Sequence, residues 1–275
     1  MNWWQAILLG IVQGLTEFLP VSSSGHLMIF SKLLDVDPEG FLDFTVTVHA
    51  ATVLSTLVVF WGTIVRLFKG LFKFRYNDET DYVCKIVVSM VPVGIVGLCF
   101  KDQVEALFGD TLIPVGVGLC VTALLLFVSD HFNLFARFAR KPDNRYRNGI
   151  SYWQAFTVGL GQAFATAPGL SRSGTTIATG LLSGVKRENM AQFSFLMVLA
   201  PILGEQALDL LKVATGHADA GVGVGALALC LGFVAAFLSG LLACRAMVAL
   251  VRKTKLSWFS VYCLLAAVLI FFIFA

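Results

Sequence analysis

Residues 4–25 read WQAILLGIVQGLTEFLPVSSSG, and residues 153–174 carry the same pattern as WQAFTVGLGQAFATAPGLSRSG. One constant offset aligns the two strings, pairing Trp4 with Trp153 at the start and Gly25 with Gly174 at the end. In each string an apolar, helix-like stretch stops at a proline and is followed by Ser and Gly. Hydrophobic segments broken by Gly or Pro at matching places in two halves indicate a binding site between the repeats. The duplicated break is therefore the first place to expect chemistry.

The composition is that of a polytopic membrane protein. Hydrophobic residues make up 57% of the 275 residues and charged residues only 13%, with a mean hydropathy of +0.82. The net charge of +3 is too small, in the absence of a long basic run, to indicate a nucleic-acid partner. The six cysteines occur singly in apolar sequence, which favours packing roles over zinc or disulfides. The N-terminus lacks the basic segment of a signal peptide, and we expect it to be mature structure.

Apolar stretches outside the repeated strings predict six spanning helices, because about 30 Å of hydrocarbon needs roughly 20 helical residues. These spans are expected near residues 42–65, 83–100, 112–130, 188–212, 221–245 and 257–274. The segments 3–35 and 152–184 each contain two shorter pieces around the break, and we interpret both as re-entrant helical hairpins. The predicted fold is a single all-α membrane domain, residues 1–275, with an inverted-topology repeat. Its parts are a first repeat at 1–130, a linker at 131–150 and a second repeat at 151–275.

The distribution of basic residues agrees with this topology. Hairpins that return to their own side leave three crossings between the two copies, so the second hairpin enters from the opposite face. Sixteen of the 20 Lys and Arg residues then lie on one side. The other side receives Lys32, Lys101 and Lys212, and only Arg172 lies outside this partition. Because cytoplasmic loops are enriched in Lys and Arg, the first hairpin is predicted to enter from outside and the second from the cytoplasm.

The first hairpin carries a candidate metal and catalytic group at its tip. Gln13 and Glu17 are four residues apart and therefore share one helix face. A carboxylate at membrane depth is costly and indicates function, and oxygen ligands suit Mg²⁺ or a similar hard cation. An ion pair of Glu17 with Arg172 is the structural alternative. His26 follows the SSSG turn and is a candidate acid, base or nucleophile. His49 has no polar break beside it in the sequence and is interpreted as a packing residue.

The second hairpin carries a candidate anion site. Its tip runs from Pro168 to Thr176 as PGLSRSGTT. Glycine permits close backbone approach, a helix N-terminus binds anions, and the guanidinium of Arg172 can hold two phosphate oxygens. The alternative is a plain helix start from which Arg172 extends to an interface.

Two motifs resemble the signatures of a known family. QGLTEFLPVSSSGH (Gln13 to His26) and PGLSRSGTT closely resemble the motifs of the bacterial undecaprenyl-pyrophosphate phosphatase family, which is associated with bacitracin resistance. The family's first motif is (E/Q)xxxE, and this chain has the Gln form, which leaves one carboxylate. The second motif, PGxSRSxxT, is matched throughout.

The resemblance implies hydrolysis of undecaprenyl diphosphate to the monophosphate carrier used in peptidoglycan and cell-wall synthesis. It implies a polyprenyl diphosphate lipid as substrate, a divalent cation, Mg²⁺ or Ca²⁺, and a site on the outer side of the plasma (inner) membrane. A transporter or flippase for such a lipid is the alternative, and a homo-oligomer stays open. The expected catalytic residues are Glu17, Ser23, His26 and Arg172, with Glu17 and Gln13 at the metal. The expected substrate-binding residues are Ser22, Ser24, Gly25, Gly169, Ser171, Ser173, Gly174 and Thr176. The nucleophile is left between a Ser23 hydroxyl activated by His26, His26 itself and water, with Ser22 as the second serine choice.

Overall fold

A computed structural model describes residues 1–36, 41–107, 111–131, 148–214 and 224–274. Within these ranges the regular structure is helical and contains no strand. The helices are α1 (Trp3–Phe18), α2 (Ser23–Leu33), α3 (Phe41–Leu71), α4 (Asp78–Cys99), α5 (Lys101–Glu105), α6 (Ile113–His131), α7 (Tyr152–Phe164), α8 (Arg172–Leu182), α9 (Arg187–Ala214), α10 (Ala226–Lys253) and α11 (Ser257–Phe274). Most of the predicted linker, 132–147, lies outside the described residues.

Four helical segments in the described part of the chain are long and apolar enough to cross a membrane. They are Asp43–Leu71, Asp78–Cys99, Ile113–His131 and Ala226–Val251. α11 adds a shorter apolar stretch, Ser257–Ile273. α9 occupies the predicted fourth span but is not among the four. The prediction of an all-α membrane protein is confirmed, with four spanning candidates where the sequence led us to expect six.

The two repeated strings fold into helix pairs closed by equivalent hydrogen bonds. The Gln5 side chain accepts from the Asn2 backbone N–H at 2.7 Å and donates to the Leu34 carbonyl at 2.9 Å. In the second pair, Gln154 accepts from the Ser151 N–H and donates to the Ser183 carbonyl, both at 2.9 Å. Each glutamine therefore joins the start of its first helix to the end of its second. This contact explains why a polar residue near the start of each string is buried.

The first helix of each pair, α1 or α7, packs on a spanning helix of the other half of the chain. α1 lies along α10, and α7 lies along α4. Glycines permit the close approach: a Cβ on Gly10 would lie 2.4 Å from the Gly232 carbonyl oxygen, and one on Gly159 would lie 2.2 Å from that of Ser89. Small residues at such contacts let helix backbones approach closely in membranes.

α6 and α11 contact the second helix of each pair and the two tips. α8 packs between α6, α7 and α9, and nearly all its residues are buried. The Ser171 backbone N–H donates to Thr122 Oγ1 of α6 at 3.0 Å, which fixes the second tip. On the other side, Cys263 Sγ of α11 contacts the Pro20 carbonyl oxygen of the first tip at 3.4 Å. The two tips are thereby brought to the same region of the molecule.

Candidate active site

The two tips meet in direct contact. Ser173 Oγ donates to the Leu19 carbonyl at 3.2 Å, and a Cβ on Gly174 would lie 3.1 Å from Pro20 Cβ. Beside this contact a small cavity of about 30 Å³ lies between the tips, α3 and α9. Its lining residues are Glu17, Phe18, Thr52, Val53, Thr56, Arg172, Ser173, Ser194, Phe195, Val198, Leu199 and Ile202. The carboxylate predicted on one tip and the guanidinium predicted on the other therefore share one cavity.

Glu17 is the centre of a small polar cluster on the first hairpin. Its Oε2 accepts from Ser23 Oγ at 2.6 Å and from Gln13 Nε2 at 2.9 Å. His49 Nε2 on α3 lies 3.7 Å from the same oxygen. The side chain of Glu17 is only 13% exposed, so its charge depends on these partners and on Arg172, which is close enough to act on it electrostatically.

The turn that presents Ser23 is strained. Ser22 has φ 70° and ψ 96°, a left-handed backbone conformation that a residue with a Cβ rarely adopts. Its side chain caps α2 by accepting from the Gly25 N–H at 3.3 Å. The equivalent Ser171 caps α8 through the Gly174 N–H at 3.1 Å but has an ordinary φ of −71°. Strain of this kind is associated with functional sites, and of these two equivalent serines only Ser22, beside Ser23, shows it.

His26 is turned away from Ser23. Its Nδ1 lies 2.8 Å from the Ser22 carbonyl oxygen, which can only accept, so Nδ1 carries the proton. Nε2 of the neutral ring then accepts from the Tyr262 hydroxyl of α11 at 2.7 Å. The structure thus pairs Ser23 with Glu17 and gives His26 two other partners. The catalytic roles expected for these residues stay predictions.

Arg172 begins α8 and lies in the cavity wall. Among the described residues its guanidinium makes no hydrogen bond and no ion pair within 4.0 Å. Since a half-buried charge is costly without a partner, this position would suit an anion, and the anion-binding role expected for Arg172 stays a prediction.

The predicted substrate-binding residues do not all line the cavity. Ser173 lines the cavity, and Ser24 Oγ lies 3.4 Å from Ser22 Oγ. Gly169 has φ +78° and sits against the Val115 backbone, which indicates a packing role. Thr176 Oγ1 shares a hydrogen bond of 2.6 Å with Ser194 Oγ and also donates within α8.

Residues 6–269 match the family described as Bacitracin resistance protein BacA. The chain belongs to this family. Curated relatives named undecaprenyl-diphosphatase include one from Bacteroides fragilis, 53% identical over 98% of this chain and 97% of that protein. Another, from Parabacteroides distasonis, is 54% identical over 97% of this chain and 96% of that protein. A third, from Christiangramia forsetii, is 48% identical over 96% of this chain and 95% of that protein.

Several residues of this BacA-family site were missed by the sequence analysis. His49, Thr52 and Thr56 all lie on α3, and the interpretation of His49 as a packing residue was wrong because it faces Glu17. Their spacing of three and four residues is that of one helix face, which is the signal that would have grouped them. Ser194 of α9 and Tyr262 of α11 carry no such signal, because only tertiary packing brings them to the tips.

The donor set at Glu17 fits a hard divalent cation. Gln13 is fully buried, and its Oε1 has no hydrogen-bond partner in the described structure. A buried carbonyl oxygen without a partner is costly and normally marks a ligand, ion or water. Its amide nitrogen contacts the Glu17 carboxylate, and turning the amide over would bring Oε1 to that position instead, so the two side chains can supply oxygen ligands to one ion.

Proposed function

We propose that this chain is an integral-membrane undecaprenyl-diphosphatase, which hydrolyses undecaprenyl diphosphate to undecaprenyl phosphate and inorganic phosphate. Membership of the BacA family and the shared name of the relatives support this activity. The observation that carries it is the cavity lined by both Glu17 and Arg172, at the meeting point of two broken helices. Such a phosphatase regenerates the lipid carrier for peptidoglycan synthesis, and its abundance confers bacitracin resistance.

The diphosphate is proposed to lie between the two tips, with its prenyl chain leaving sideways into lipid. Arg172 supplies a planar cation that can grip two phosphate oxygens, and the capped start of α8 adds backbone N–H groups. Ser173 contributes a hydroxyl to the same wall. Phosphoryl transfer depends mainly on positioning and charge neutralisation, which these groups supply together.

The geometry favours Ser23 as nucleophile with Glu17 as its base. Ser23 Oγ would attack the terminal phosphorus while its proton passes to the Glu17 carboxylate, with which it shares a hydrogen bond of 2.6 Å. The bond to the bridging oxygen breaks and undecaprenyl phosphate leaves. Water then hydrolyses the phosphoserine to return the serine. His26 serves as a positioning residue in this scheme, since its ring is bonded to the Ser22 carbonyl that precedes Ser23.

A divalent cation, Mg²⁺ or Ca²⁺, is proposed to be held by Glu17 and Gln13. When bound, it would neutralise phosphate charge and so stabilise the transferring group. The residues present fit this role because Gln13 leaves a buried oxygen unpartnered beside the only carboxylate of the cavity lining.

The topology is proposed to be an inverted repeat with two re-entrant hairpins. α1 and α7 have 16 and 13 residues, about 24 and 20 Å of helix, which is short for a 30 Å core. The exchange of partners, α1 on α10 and α7 on α4, supports two equivalent halves, 1–130 and 151–275. With the basic loops inside, the active site faces the outer side of the plasma membrane.

Phosphate release by purified protein in detergent tests this proposal. Undecaprenyl diphosphate should yield inorganic phosphate, and EDTA should abolish the release until Mg²⁺ or Ca²⁺ is restored. Detergent micelles have no two sides, so the rival function, transport or flipping of a polyprenyl phosphate lipid, cannot produce this signal. Intact substrate after prolonged incubation of folded protein with both metals would contradict the proposed activity.

A further inference from the structure

His49 presents an unshared nitrogen to the proposed cation position. Its Nδ1 lies 2.8 Å from the Thr45 carbonyl oxygen, which requires a proton on Nδ1. The neutral ring therefore has its lone pair on Nε2, and this atom is 3.7 Å from Glu17 Oε2. A nitrogen lone pair beside a negatively charged carboxylate is unfavourable unless a positive centre lies between them.

The separation of these atoms suits two ligands of one metal ion. Ligand atoms bound at about 2.1 Å lie roughly 3.0 Å apart at a right angle and roughly 3.6 Å apart at a trigonal angle. The Oε2 to Nε2 distance of 3.7 Å is close to the upper value. Turning the Gln13 amide over would replace the nitrogen that touches Glu17 by its Oε1, which is buried and unpartnered in the described structure, and would supply a third donor.

We infer that His49 is a ligand of the divalent cation held by Glu17 and Gln13, and that its imidazole replaces the second carboxylate absent from this chain. The inference rests on the proposed function for the identity of the site. A proton on Nε2 would satisfy His49 and Glu17 but leave Gln13 Oε1 without a partner, whereas a cation, with the Gln13 amide turned over, satisfies all three. A nitrogen ligand also shifts metal preference away from Ca²⁺ and towards ions such as Mn²⁺, Co²⁺ or Zn²⁺.

Pulsed electron paramagnetic resonance of bound Mn²⁺ tests this inference, because coordinated ¹⁴N modulates the spin echo. The full chain, purified with a histidine-free tag and stripped with chelator, is loaded with one equivalent of Mn²⁺. Wild-type protein should show nitrogen modulation, and His49→Gln should lose it while it retains an oxygen donor of similar reach. The ratio of Mn²⁺ to Ca²⁺ affinity should fall by about tenfold in this variant. His131→Ala, at the exposed end of α6, is the matched control and should keep the modulation.

The outcomes separate this inference from the proposed activity. Nitrogen modulation that persists in His49→Gln, or Mn²⁺ bound by the wild type without modulation, would overturn the ligand assignment. Failure of the wild type to bind Mn²⁺ would overturn it as well, and phosphate release could still proceed with Mg²⁺. Modulation that depends on His49 in a protein that releases no phosphate would support the ligand and contradict the phosphatase.

Discussion

At the residue scale, the site depends on one largely buried carboxylate that contacts several neighbours. Glu17 accepts from both Ser23 and Gln13, and it faces His49 on α3. The strained backbone of Ser22 holds Ser23 at the start of α2, within hydrogen-bonding distance of that carboxylate. Strain of about 1–3 kcal/mol persists only where surrounding contacts support it, and here His26 bonds the Ser22 carbonyl through both its backbone N–H and its ring.

Arg172→Ala is expected to lower kcat/KM for undecaprenyl diphosphate by roughly a thousandfold, because it removes the cation that neutralises the transferring phosphate. Arg172→Lys should recover only part of this loss, since an ammonium cannot bind two oxygens in a planar fork. Arg75→Ala, in an exposed loop, is the charge-matched control. Phosphate release at several substrate concentrations measures the effect, and near-normal turnover in Arg172→Ala would refute the anion site.

Ser23→Ala is expected to reduce kcat by roughly a thousandfold or more, while substrate still binds through the second tip. Ser31→Ala, on the same helix, removes a hydroxyl that donates to the Met28 carbonyl within α2 and should retain normal kcat. Rapid quenching of wild-type protein with radiolabelled diphosphate should trap phosphate on Ser23. If the label appeared on His26, or if Ser23→Ala turned over normally, the proposed nucleophile would have to be abandoned.

At the element scale, glycines set the distance between the first helix of each pair, α1 or α7, and the helix on which it packs. The two contacts are equivalent in the two halves: Gly10 meets the Gly232 carbonyl and Gly159 meets that of Ser89. These contacts position the tips, because α1 ends two residues before Pro20 and α7 ends four residues before Pro168.

Gly10→Ala and Gly159→Ala are each expected to destabilise the fold by about 1–3 kcal/mol, because the added methyl meets backbone that cannot move independently. The thermal unfolding midpoint in detergent should fall by several degrees. Gly62→Ala in α3 is the control, since a Cβ there meets no atom within 4 Å. Equal midpoints for the three variants would show that the close helix contacts are absent from the folded protein.

At the scale of the whole molecule, the basic loops are expected in the cytoplasm and the tips open to the outer side. The loop between α3 and α4 and the short helix α5 should then lie on opposite faces. Single cysteines at Arg75 and Asp102 test this, since both residues are exposed. The background replaces the exposed native thiols Cys99 and Cys230 with serine. A membrane-impermeant maleimide applied to intact cells should label Asp102→Cys only, and labelling of both positions from outside would exclude the proposed topology.

Much of this protein could be predicted from its sequence alone. Repetition of the Gln, Pro, Ser and Gly pattern indicated two equivalent helix pairs, and the hydrogen bonds of Gln5 and Gln154 are equivalent in the structure. Hydropathy located the long helices, because burial in lipid demands continuous apolar sequence. The motifs also identified Glu17 and Arg172 as partners across the two tips, and these residues share one cavity.

Only the tertiary structure decided which side chains share that cavity and how they pair. Ser23 bonds Glu17, while His26 is held by Tyr262 from a helix more than two hundred residues later. His49 reaches Glu17 because α3 packs beside α1. Local sequence determines where helices begin, break and end, since those choices depend on neighbouring residues. Contacts between distant helices depend on backbone approach and rotation about each helix axis, which no single stretch of sequence contains.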